Sequence, residues 1–185
     1  MLSALFFGFL TGVALCFTFG TVFFSLVQNS VDNGYTSGVK IALGVVVCDA
    51  IFFFFAVYGT AILPDIPHFE ELLASLGSVF LIALGIINLL KGAPKLAYPR
   101  TRFGNFLYYF ATGFLLNGLN PVNFISWVTI ATYLRTSFGY SLANMLYFFG
   151  SSLFAIFVTE SLIAVFAHKL KPWFTPLTII RFNRV

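Results

Sequence analysis

Residues 39–63 read VKIALGVVVCDAIFFFFAVYGTAIL, and this stretch decides the fold class. Its 25 residues carry one lysine, Lys40, near the start and one acid, Asp49, in the interior. About 20 predominantly apolar residues are enough for a helix to cross the hydrocarbon core of a bilayer. The apolar residues also run around every face. A strand of a transmembrane barrel would instead alternate over about ten residues. The rest of the chain agrees: 59% of its 185 residues are hydrophobic, 9% are charged, and the mean hydropathy is +0.96. A soluble domain carries about 25% charged residues, and disorder requires the opposite balance of charge and burial. Both classes are excluded, leaving an all-α integral membrane protein with a single transmembrane domain over residues 1–185.

Four further apolar segments surround this one, so that five spans are predicted at residues 2–27, 39–63, 71–90, 105–131 and 141–167. The first lacks a basic leader and a small-residue cleavage site, and it reads as a span and not as a signal peptide. Lys and Arg in short loops set orientation. With the N-terminus outside, nine of the ten basic residues become cytoplasmic and only Arg135 lies outside. The connector after the second span carries Asp65, Glu70 and Glu71 with no basic residue. The net charge of +4 therefore reflects topology and gives no indication of nucleic-acid binding. Residues 168–185 form a basic cytoplasmic tail that contains no apolar run of spanning length.

The first and fourth segments resemble each other at an offset of 101. Thr11-Gly12 matches Thr112-Gly113, and Phe9, Leu15, Phe23, Ser25 and Val27 match Phe110, Leu116, Phe124, Ser126 and Val128. Three spans separate the two starts, so the segments begin on opposite sides of the membrane. Inverted repeats of this kind place a substrate site at the midplane between the halves. The repeat also aligns two places where helix continuity weakens: Thr18-Phe19-Gly20-Thr21, and Asn117-Gly118-Leu119-Asn120-Pro121. Proline has no N–H and clashes with the preceding turn, and it drives Asn120 away from helical geometry. Open backbone at that depth is tolerated only against protein or a cavity. The amides of Asn117, Asn120 and Asn123 favour a polar cavity over a simple packing kink.

Asp49 and Glu160 are the two acids deep within spans. Each lies nine residues from a basic residue at the inner boundary, Lys40 or Lys169, which corresponds to about 13–14 Å at 1.5 Å per residue. Ionisable groups near the midplane are costly and usually line a pathway or a proton relay. The alternative for each is a hydrogen-bonded structural acid. Under the repeat, Ser151 and Ser152 are expected near the position equivalent to Asp49. Cys16 and Cys48 read as small packing residues, His68 and His168 as loop and interface residues, and Trp127 and Trp173 as interfacial or packing aromatics. There is no nucleotide loop, no metal-ligand spacing and no nucleophile–base set. The protein is therefore expected not to be an enzyme, to bind no cofactor or metal, and to draw on ion or substrate gradients.

Two elements carry a family resemblance. The second segment reads Gly38-Val39-Lys40-Ile41-Ala42-Leu43-Gly44-Val45-Val46-Val47-Cys48-Asp49, followed by Tyr58-Gly59. The fourth reads Gly113-Phe114-Leu115-Leu116-Asn117-Gly118-Leu119-Asn120-Pro121. The chain resembles the LysE-type (LysE/RhtB-like) amino-acid exporters over essentially its whole length. The resemblance implies a proton-linked inner-membrane exporter of amino acids or similar small polar metabolites. The family's first-helix break is Thr-Pro-Gly-Pro. Here only Thr18 and Gly20 carry over, which marks a divergent member. Six helices are the family norm, so the sixth is expected to be missing from this sequence. On this reading Thr18, Gly20, Asn117, Asn120 and Pro121 contact substrate, Asp49 carries the coupling proton, and Glu160 is a second candidate. Expected partners are the small-molecule substrate, protons and the lipid bilayer, with homo-oligomerisation left open. The competing functions are a membrane thiol–disulfide electron carrier, a metal-ion exporter and a non-transporting scaffold.

Overall fold

The computed structural model describes residues 1–18, 20–59 and 102–170. The predicted third segment, 71–90, and most of the tail lie outside the described residues. Among the described residues six α-helices follow in chain order: α1 Leu2–Cys16, α2 Thr21–Asn33, α3 Tyr35–Phe54, α4 Arg102–Gly118, α5 Pro121–Thr136 and α6 Leu142–Leu170. A π-helical turn, Phe55–Gly59, extends α3. Among the described residues Tyr35–Tyr58 and Leu142–Lys169 are each long and apolar enough to cross a membrane. A third candidate is the pair α1 and α2, long and apolar enough when taken together and bent by 74° at the break between them.

Local chemistry explains the interruptions. The end of α1 tightens as Phe17 and Thr18 donate their N–H groups to Ala14 and Leu15, and the Thr18 hydroxyl also donates to the Leu15 carbonyl at 2.6 Å. Shortened final turns of this kind satisfy carbonyls that would otherwise be left over. Gly20 is extended at the start of α2. Gly34, at φ 91°, makes the one-residue corner into α3, a left-handed conformation that favours glycine. The fourth predicted span divides at Leu119-Asn120. Pro121 takes the first position of α5, where its missing N–H costs nothing. Residues 2–27 and 105–131, each predicted as one segment, are thus two helices joined by a break. At 17 and 16 residues, α4 and α5 are each shorter than a full crossing.

Two close parallel pairs hold the molecule together. In the α1–α6 pair, Gly8 and Gly12 lie against the backbone of Phe148 and Ser152. There the Ser152 hydroxyl donates to the Gly8 carbonyl at 2.8 Å, and Ser151 to that of Leu5 at 2.7 Å. In the α3–α4 pair, Gly44 lies against Phe110 and Phe114, and Gly113 against Ile41. Small residues allow backbones this near and let dispersion and hydrogen bonds replace the hydrophobic drive that lipid removes. Helices α3 and α6 run antiparallel: Phe53 stacks on Phe149 at 4.2 Å, and Gly38 meets Ala164. Large apolar side chains such as Phe6, Phe24, Phe54, Phe154 and Phe166 face outward, while Asp49, Asn117, Ser152 and Glu160 are buried. This distribution suits acyl chains as solvent.

The packing also sets a register between the halves. Gly12 meets Ser152 as Gly113 meets Ile41. The Cys16 thiol donates to the Ile156 carbonyl as the Asn117 amide donates to that of Val45. The partners on α6 and α3 differ by 111 in both cases. So do Glu160 and Asp49. Equivalence of Asp49 to Ser151 or Ser152 is therefore corrected to Glu160. Asp49 follows Cys16 by 33 residues and Glu160 follows Asn117 by 43, ten more, so the single offset of 101 does not carry across that interval.

Candidate functional site

The two breaks face a common cavity of about 570 Å³. Thr18, Gly20, Thr21 and Val22 come from the first break. Asn117, Asn120, Pro121 and Asn123 come from the second, while α3 contributes Asp49 and α6 contributes Glu160. All seven site residues expected from the sequence line this one cavity. Among the described residues its wall carries two carboxyls and no cationic side chain.

Asp49 sits in a cage of donors. Its Oδ1 accepts from Asn117 Nδ2 at 2.8 Å, Asn123 Nδ2 at 2.6 Å and Trp127 Nε1 at 2.9 Å. The amide orientations follow from the network. The Val45 carbonyl can only accept, so Asn117 must turn Nδ2 toward Val45 and Asp49. Asn117 Oδ1 is then left as an acceptor, and Asn123 Nδ2 fills it at 2.8 Å. The indole N–H can only donate. Charge-assisted bonds to a carboxylate are about twice as strong as neutral ones, and this cage ties α3 to both α4 and α5.

Trp127, read as an interfacial or packing aromatic, is fully buried in the packing, and its N–H in addition points at Asp49. The spacing from Asn123 to Trp127 is one helical turn, which puts both on one face of α5. That signal was available, but it becomes meaningful only once α5 is known to face α3. His168, expected at the interface, is half-buried with Nδ1 3.1 Å from the Ser30 carbonyl, while His68 lies outside the described residues. Cys16 and Cys48 are free thiols.

Glu160 differs from Asp49. It is also buried and lines the same cavity, within electrostatic reach of Asp49, yet its Oε2 has no hydrogen-bond partner among the described residues. The helix starts at the cavity differ as well. On α5, Asn120 Oδ1 accepts the Val122 N–H at 3.2 Å and the Asn123 N–H reaches the Asn120 carbonyl. On α2, Gly20 supplies no side-chain cap, which leaves the positive end of that helix toward the cavity. Such ends attract anionic groups.

A bundle of apolar helices, two of them interrupted around a buried polar cavity, defines a multi-pass membrane protein of the transporter class. The sequence model of the LysE type translocator family matches residues 13–181, and the chain belongs to that family. Comparison with curated proteins and with solved structures finds no match.

Proposed function

We propose that this protein exports amino acids or closely similar small polar metabolites across the inner membrane as a proton-linked secondary carrier. The observation that carries the proposal is the meeting of both helix breaks and both intramembrane acids at one cavity. Export of a zwitterion needs donors for its carboxylate and a gradient to draw on, and the helix starts and acids at this wall suit both needs. The uncapped start of α2, with Thr18 and Gly20, receives the substrate carboxylate. Asn117, Asn120 and Pro121 shape the opposite wall, and one of the two carboxyls couples substrate movement to a proton.

The positive-inside distribution supports five spans, an outer N-terminus and cytoplasmic residues 168–185. The repeat supports alternating access, with the halves rocking about the cavity. A metabolite comparison of media from cells with and without the protein tests the proposal. One or a few amino-acid-like zwitterions should accumulate outside only with the protein, and Asn120→Ala should reduce that accumulation. Unchanged media would favour a scaffold, and accumulation that Asn120→Ala leaves unaltered would remove Asn120 from the substrate site.

A further inference from the structure

The carboxyls Asp49 and Glu160 occupy matching places in the two halves, yet their surroundings are not matched. The three donors to Asp49 are Asn117, Asn123 and Trp127. At the offset of 101 their counterparts around Glu160 are Cys16, Val22 and Leu26. Two are hydrocarbon. The third already directs its thiol to the Gly12 and Ile156 carbonyls. One half thus surrounds an oxygen of its acid with three donors, and in the other Glu160 Oε2 has no hydrogen-bond partner among the described residues. That oxygen is shut off from solvent although the residue borders the cavity.

We infer that Glu160 is the proton-exchanging group of the cavity and that Asp49 is a positioning residue which holds α3, α4 and α5 in register. This inference rests on the transport reading and deepens it. A charged carboxylate oxygen buried without a donor is far more costly than that of the neutral acid, so Glu160 Oε2 suits a group that carries a proton. When the cavity faces outside, the Glu160 carboxylate takes one proton from water through the cavity that the residue borders. When it faces inside, the carboxyl returns that proton to water, and one positive charge has moved inward. Asp49 does not suit this role. Its Oδ1 receives three hydrogens from α4 and α5, and a proton on either oxygen of Asp49 would remove the charge that strengthens those bonds between helices.

The titratable groups facing Glu160 among the described residues are Asp49 on α3 and the Cys16 thiol on α1. On α2, α4 and α5 the cavity residues are hydroxyl, amide or apolar. Infrared difference spectroscopy of the purified protein across a pH titration tests the assignment without any substrate. The carbonyl stretch of a neutral, buried carboxyl should titrate in the wild type, vanish in Glu160→Gln, shift in Glu160→Asp and persist in Asp49→Asn. Asp49→Asn should instead lower the thermal midpoint in detergent. A titrating band that survives Glu160→Gln, or that vanishes in a folded Asp49→Asn, overturns the inference.

In proteoliposomes, a labelled mixture of the twenty L-amino acids separates coupling from transport itself. For Glu160→Gln, the ratio of pH-gradient-driven uptake to substrate exchange should fall at least about tenfold, equivalent to 1.4 kcal/mol. An unchanged ratio counts against Glu160. A wild type that carries none of the mixture defeats the export reading, and the infrared result still decides the proton site.

Discussion

Asn123 and Trp127 show how much one face of a short helix contributes. Both donate to the same oxygen of Asp49, at 2.6 and 2.9 Å, from positions one turn apart. Removing either leaves a buried acceptor short of a partner, which typically costs about 1–3 kcal/mol. Trp127→Phe keeps an aromatic ring but deletes the donor and part of the buried indole, so the loss should appear as a lower thermal midpoint in detergent. The two sites share an acceptor and should not be additive. A double-mutant cycle with Asn123→Ala should give a coupling of about 0.5–3 kcal/mol. Values near zero would mean that the cage does not act as a unit. At Asn120 the expected effect of Ala is smaller, about 1 kcal/mol for a lost cap, visible in the same melt.

Among the helices, stability depends on glycines where backbones touch. A methyl group at Gly44 would collide with the Phe110 carbonyl, and one at Gly113 with that of Ile41. Gly44→Ala or Gly113→Ala must therefore separate α3 from α4, at a cost of about 1–3 kcal/mol. Gly150 is the internal control, since it lies within α6 with open space where a Cβ would stand. Gly150→Ala should be neutral or stabilise by up to about 1 kcal/mol through helix propensity. Thermal melts of the three variants check the contrast. The breaks between helices were readable in advance because their causes are local: Pro121 lacks an N–H, and Thr18 and Gly20 suit a helix end. The match between Asp49 and Glu160 was hidden because the halves differ in length by ten residues over the interval that relates them. The purpose of Trp127 was hidden for another reason. An indole looks the same in sequence whether it faces lipid or a carboxylate, and only the rotation of α5 distinguishes them.

For the whole molecule, charge placement leads to a topology that can be measured. Reporter fusions within residues 64–70 should report the outside, and fusions within residues 91–101 or after residue 170 the cytoplasm. Both reporting the same side would overturn the arrangement. Export should also follow the proton gradient, rising as the outside is acidified at fixed inner pH and collapsing with a protonophore. If neither treatment changes the rate, the carrier runs on the substrate gradient alone.

The parallel pairing of α1 with α6 has a consequence for how the chain is made. Leu5, Gly8 and Cys16 find their hydrogen-bond partners 146, 144 and 140 residues later. On the ribosome α1 is therefore inserted long before α6 exists, and its glycine face must wait in the bilayer. Segments of this sort depend on companions held at the insertion machinery, and contacts so distant in sequence form late. A nascent chain released after α5 would present the bare glycine groove to the quality-control proteases of the membrane.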